Sequence, residues 1–243
     1  MTINSINRSQ HVAAKVAGFS YLISFAIVVY VNFGIHAPLI VKGNAGETAR
    51  NILAHERLFR IGIFGDLVYC VSAIILLTAL YVILVRVNRF LALLATFWRF
   101  VWVLMWLVIT LNLFDALRVI SDGGYLRVFE ADRLQSLASL YLNTSFDYYY
   151  VGLLFGALSS IICSYLWFKS RYIPLLLATF GVISSTWCVV CTLLFYIFPN
   201  FEQTINLWWF DTPMGIFDII LSFWLLFKGL RPSGLAVSDK SSP

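Results

Sequence analysis

The sequence predicts an all-α integral membrane bundle of about six transmembrane helices with two outer helical loops, and three observations predict it. Of 243 residues, 60% are hydrophobic and only 12% are charged, about half the charged share of an ordinary soluble domain. A soluble chain of that make-up would lack the polar residues to cover its core, so most of its apolar surface must face lipid or another apolar helix. Six segments reach the length of about 20 mainly apolar residues that a membrane helix needs. They are apolar all round, where the strands of a membrane barrel would alternate apolar and polar residues in runs of about ten.

Taken in order, the spans fall near 12–34, 61–85, 90–114, 149–168, 172–198 and 207–227. Val16 to Phe33 is longer than the apolar core of a secretory signal, so it reads as a retained first helix. Pro174 and Pro213 stand near the starts of the fifth and sixth helices, where a missing backbone N–H costs little. Gly152 and Gly156 form a G-x-x-x-G in the fourth, a pattern that lets helices approach closely. The domain layout is a cytoplasmic N-terminal tail over 1–11, a six-helix transmembrane domain over 12–230, and a disordered cytoplasmic tail over 231–243.

Both long loops carry helix signals. Asn44 followed by Glu47 resembles a capping box that opens a helix through Thr48 to Leu58, with Ile52, Leu53 and Leu58 roughly on one side. Glu130 to Leu142 places Leu134, Leu137, Ala138 and Tyr141 at helical spacing, after a turn at Asp122, Gly123 and Gly124.

Charge sets the topology. The N-terminal tail, the two short links and the C-terminal tail carry Arg8, Lys15, Arg86, Arg89, Lys169, Arg171, Lys228, Arg231 and Lys240 against the single acid Asp239. The long loops and the loop near 199–206 balance their basic residues with Glu47, Glu56, Asp122, Glu130, Asp132 and Glu202. By the positive-inside rule both termini are cytoplasmic, as expected for a multi-pass protein of inner-membrane type. The formal charge of +5 is scattered singly and forms no basic stripe, so no nucleic-acid partner is expected; membrane lipids are.

Few polar residues lie within the spans, where a charge costs about 2.5–3.5 kcal/mol on insertion scales. Arg99 lies ten residues after Arg89 and Asp218 ten before Lys228, a depth of roughly 15 Å for each, so the two are a candidate intramembrane ion pair. Such a pair is either structural or a proton or anion site. Asp66 lies near the outer end of the second helix, level with His36, Asn112, Asp115 and Asp147. Together they are a candidate outer polar pocket for a proton, a cation or a polar headgroup; the alternative is ordinary helix-end polarity facing headgroups and water. Tyr148, Tyr149, Tyr150, Trp208 and Trp209 match an interfacial aromatic belt, with a carbohydrate or lipid platform as the other use of such residues.

The remaining chemistry is sparse. Cys70, Cys163, Cys188 and Cys191 all sit in apolar segments and read as small hydrophobes; Cys188 and Cys191 share a helix face without a second pair. His11, His36 and His55 are the only histidines, so a bis-His haem has no ligands mid-membrane. No metallopeptidase, serine-hydrolase or P-loop motif occurs, and no cofactor, metal or catalytic residue is expected.

Several stretches carry a family resemblance: Ala17, Gly18, Tyr21 and Leu22; Gly43 through Ala54 running into Leu58, Phe59, Arg60 and Gly62; Val87, Asn88, Arg89 and Leu91 to Leu94 with Arg99 nearby; Lys169, Ser170 and Pro174; and Trp224 with Lys228 and Gly229. Together they resemble the domain of unknown function 4386 family over nearly the whole chain. The resemblance implies a compact multi-pass helical protein of bacteria and an acidic residue at the place of Asp218; it implies no activity or cofactor. Two functional classes follow from the residues. One is a small transporter or lipid- or ion-handling protein using the outer pocket with Arg99 and Asp218 as inner gate or relay; the other is a non-catalytic membrane partner or sensor whose charges only fix packing. An intramembrane enzyme would require the outer carboxylates to converge around one pocket. Oligomeric state is not written in the sequence.

Overall fold

The structure, a computed structural model, describes residues 7–41, 43–121, 130–198 and 208–231. The turn expected at Asp122 to Gly124, the loop near 199–206 and nearly all of the C-terminal tail lie outside the described residues. Among the described residues every regular element is helical. The helices are α1 (Arg8–Leu39), α2 (Ala45–Ala54), α3 (Glu56–Leu84), α4 (Arg89–Ile120), α5 (Ala131–Ser170), α6 (Leu175–Ile197) and α7 (Trp208–Phe227). Six of them, all but α2, are long and apolar enough to cross a membrane; the chain is a multi-pass membrane protein.

The α1 helix changes character along its length. It is α-helical over Arg8–Val29, π-helical over Tyr30–His36 and α-helical again over Ala37–Leu39. Pro38 has no N–H to return to the preceding turn, and its ring crowds the carbonyl there; the wider turn accommodates it, with the Ala37 N–H bonded to the Asn32 carbonyl five residues back. The first loop helix is capped as its sequence indicates: Asn44 Oδ1 accepts the Glu47 N–H at 3.0 Å, and Asn44 Nδ2 donates to Glu47 Oε2 at 2.9 Å. It stops earlier than expected, at Ala54, and α3 begins at Glu56. Ile52 is buried and Leu58 half-buried, whereas Leu53, next to Ile52 in the same helix, is exposed, so the three do not share one side.

The helix expected over 130–142 is the first part of α5, not a separate loop helix. No Gly or Pro interrupts 131–151, and the hydroxyls of Thr144 and Ser145 bond back to the carbonyls of Leu140 and Tyr141 at 2.8 and 2.9 Å, so the helix runs on for 40 residues. At 1.5 Å per residue that is roughly 60 Å, twice the hydrocarbon thickness.

The chain divides into two compact units. The first comprises Met1–Leu22, Ala73–Trp102 and Leu153–Pro243. Its core joins Ala14 and Ala17, Leu80 and Ile83, Leu166 and Trp167, and Phe217, Leu221 and Leu225. Here α1 and α7 approach to backbone distance: a Cβ on Gly18 would lie 2.7 Å from the Ser222 carbonyl oxygen. Gly156 of the G-x-x-x-G lies under the Trp102 indole, at ordinary contact distance for an added Cβ. The second unit comprises Ile23–Ser72 and Val103–Gly152. Ile35, Leu39, Ile52, Phe59, Ile63, Leu113 and Leu117 form its core, and α2 is tied down by Thr48, whose hydroxyl bonds both the N–H and the carbonyl of Val41.

Pro213 lies inside α7 and cannot donate to the carbonyl of Trp209, four residues earlier. The Trp187 indole N–H of α6 takes that place, donating to the Trp209 carbonyl at 2.7 Å. Trp187→Phe is expected to cost about 1–3 kcal/mol by leaving that carbonyl unpaired, measured as unfolding in detergent. In a Pro213→Ala background, which restores the helical donor, the same change is expected to cost far less. Gly18→Ala is expected to destabilise by about 1–3 kcal/mol, because the neighbouring atom is backbone and cannot swing aside.

Candidate functional site

Buried polar groups gather at two places, one in each unit. In the second unit the π-helical end of α1 brings His36 to α3, where Asp66 faces it. Both are buried, His36 at 8% and Asp66 at 3% exposure. Asp66 Oδ2 lies 3.3 Å from His36 Nε2, and Asp66 Oδ1 accepts the indole N–H of Trp106 from α4 at 3.1 Å. The Trp106 ring is held by Tyr69, with centroids 4.5 Å apart, and by Tyr149 at 5.9 Å. The imidazole meets the Phe59 ring edge-on at 5.5 Å. Gly62 makes room for it: a Cβ there would stand 2.9 Å from His36 Cε1.

The hydrogen-bond directions follow from the donors. Indole can only donate, so Asp66 Oδ1 must accept, and an ionised Asp66 offers Oδ2 as a second acceptor. A His36 that donates from Nε2 to that oxygen leaves Nδ1 as its other ring nitrogen. That nitrogen is buried and has no hydrogen-bond partner among the described residues. The 3.3 Å separation is longer than the roughly 2.7–2.9 Å of a tight charged pair, so the two groups face each other without being locked.

Of the other residues expected in this pocket, Asn112 is half-buried with a buried, unpartnered Nδ2. Asp115 is half-buried on α4, and Asp147 is exposed on α5. The indole that completes the His36 and Asp66 site is not among the residues the sequence singles out, where Trp208 and Trp209 are named as belt residues. Its signal was a Trp well inside a span: a buried indole N–H usually has an acceptor.

The second place lies in the first unit. Arg99 of α4 donates through Nε to Ser159 Oγ of α5 at 3.5 Å, and Ser159 passes its own proton to the Ala95 carbonyl at 2.7 Å. The guanidinium also sits over the Tyr21 ring, 5.7 Å from its centroid. Tyr21 of α1 contacts both members of the sequence-predicted pair, its hydroxyl hydrogen-bonding with Arg99 and with Asp218 of α7. Since guanidinium only donates, Tyr21 accepts from Arg99 and turns its proton toward Asp218. The second carboxylate oxygen, Asp218 Oδ1, is buried without a hydrogen-bond partner among the described residues. Tyr21 and Ser159 were missed as site residues because each is ordinary on its own helix.

Among the described residues no three His, Cys, Asp or Glu side chains converge as metal ligands would. Cys188 and Cys191 are buried free thiols on α6. Gly62→Ala is expected to push the imidazole away from Asp66 and to cost about 1–3 kcal/mol by overpacking; a histidine NMR spectrum unchanged from the parent would refute the contact.

A family model described as Domain of unknown function (DUF4386) matches residues 16–229. Comparison with curated proteins gives no match, and neither does comparison with solved structures.

Proposed function

We infer the function of a chain that belongs to the DUF4386 family from the pair it buries in its second unit: a small proton-linked transporter of ions or small solutes. In this reading it sits in the cell membrane with both termini in the cytoplasm, so the His36 site belongs to the outer half. The observation that carries the reading is the buried His36 and Asp66 pair, with Trp106 fixing the carboxylate and Nδ1 left without a partner. Ionisable groups within membrane helices are expensive and mark ion and proton paths.

The chemistry gives a coupling rule. With His36 neutral, the pair carries one negative charge; a proton on Nδ1 makes it net neutral. A cation or a ligand N–H near the site is therefore favoured in the deprotonated form and disfavoured in the protonated one, which links the two binding events reciprocally. Besides Asp66, the titratable groups around the pair are Cys70 on α3, one turn from Asp66, and Tyr69 and Tyr149, which flank Trp106. The π-helical stretch bearing His36 is a type of segment often found at functional sites.

The sensor reading draws on a different observation: α5 exceeds the length of a span, and Leu137 and Leu140 on its first part are exposed. An exposed apolar face of that kind suits a partner.

The test is proton movement in proteoliposomes loaded with a pH dye, under an imposed sodium, potassium or chloride gradient. The wild type is expected to move protons with one of these ions, while His36→Gln and Asp66→Asn fall to the level of empty liposomes. Equal proton movement in all three proteins would refute the assignment to this pair. Silence of the wild type under every ion and under a panel of small metabolites would shift the balance to the sensor reading.

A further inference from the structure

Two helices of the first unit, α5 and α7, stop through the same left-handed turn, but with different residues. The α7 helix leaves its last turn through Gly229, at φ 66°, and α5 through Arg171, at φ 55°. Glycine takes that conformation freely, whereas the Cβ of any other residue crowds the following carbonyl. The turn at Arg171 brings the next residue, Tyr172, to the chain that leaves α7, and its carbonyl accepts the Arg231 N–H at 2.8 Å. Arg231 is fixed a second time by the Trp224 ring, with its guanidinium 4.6 Å from the centroid. Lys169 and Lys228 stand at the same two helix ends. All four basic residues are exposed, and none has an ion-pair partner among the described residues. The segments 168–175 and 223–231 contain no Asp or Glu. Next to these cations stand large exposed apolar residues, Leu176 at 84% and Phe227 at 77% exposure.

We propose that the joined ends of α5 and α7 bind one anionic phospholipid, with its phosphodiester on Arg171 and Arg231 and its acyl chains alongside Leu176 and Phe227. Helix dipoles and the positive-inside rule both favour cations at such ends. A flexible lysine anywhere on the links would satisfy either. Neither accounts for an arginine held in a glycine's conformation, or for a second one pinned beside it by a ring and a backbone hydrogen bond. Bringing like charges together without an acid is unfavourable, and an anion received between them reverses the sign. A guanidinium stacked on a ring keeps its in-plane N–H groups for a phosphate fork, and fixing it beforehand lowers the cost of binding. The ends of spanning helices lie at headgroup level, where basic pockets between helices take lipid headgroups. Exposed Leu176 and Phe227 beside the cations favour a lipid over a soluble anion. The site involves none of the groups in the proton-linked reading and stands or falls separately from it.

Native mass spectrometry of the full chain, stripped of lipid in dodecyl maltoside and titrated with dioleoyl phosphatidylglycerol, tests the proposal. One tightly held lipid is expected on the wild type. Arg171→Gln and Arg231→Gln are each expected to weaken it about fivefold, the effect of removing one charge at the membrane surface. Arg86→Gln combined with Arg89→Gln removes two exposed charges from the α3–α4 link and is expected to leave that lipid bound as before. Arg171→Gly separates binding from folding. It is expected to keep or raise the unfolding temperature in lipid-free detergent, since glycine relieves the left-handed backbone, and to lose affinity as Arg171→Gln does. Dioleoyl phosphatidylcholine and inorganic phosphate are expected not to compete. Equal weakening by the Arg86 and Arg89 changes would mean diffuse surface charge. Competition by phosphatidylcholine would mean an apolar groove only, and competition by phosphate an anion site without a lipid. Each of these outcomes, or undiminished binding in both Arg171→Gly and Arg231→Gln, would overturn the proposal.

Discussion

Lipid offers no hydrogen bonds, and the structure follows from that constraint. Every N–H, carbonyl and hydroxyl within a span must find its partner inside the protein. The helices meet the requirement for the backbone, and many hydroxyls meet it by returning to their own helix. Thr78, Thr110, Thr179, Thr186 and Thr192 each donate to the carbonyl four residues earlier. Where the backbone itself is deficient, a neighbour supplies the missing donor, as the Trp187 indole does for the Trp209 carbonyl below Pro213. Gln10 works similarly at the other end of the chain, donating to the Ile83 carbonyl at 3.1 Å.

Against that background the buried atoms left without a partner are informative, since burying an unpaired polar group is unfavourable by several kcal/mol in hydrocarbon. His36 Nδ1, Asn112 Nδ2 and Asp218 Oδ1 are such atoms, and two of the three belong to side chains already engaged through another atom. The two places share a construction. An aromatic donor or relay, Trp106 in one and Tyr21 in the other, orients an acid by one oxygen. The acid faces a nitrogen base or cation from a different helix. The difference lies in the cation: imidazole can lose its charge and guanidinium cannot.

The sequence was informative in proportion to how local each feature is. Apolar runs, the Asn44 cap and the helical spacing around Leu134 to Tyr141 were legible because they depend on residues within a few positions of one another. The continuity of α5 was harder to read: the polar stretch Asn143, Thr144 and Ser145 looks like a loop until its hydroxyls are seen bonding the preceding turn. The break between Ala54 and Glu56 has no Gly or Pro to announce it.

What the sequence by itself determined is the solvent of this protein, the number of its spans and the identity of the rare charges within them, since those depend on composition and run length. Only the tertiary structure decided which of those charges meet. His36 and Asp66 are thirty positions apart, and Trp106 forty beyond Asp66; their contact depends on the rotation and register of three helices. Those are set by side-chain packing, by the room left at Gly62 and by the π-helical turn before Pro38. Helices that are apolar all round carry little sequence record of which face turns inward, because lipid and a neighbouring helix are chemically alike.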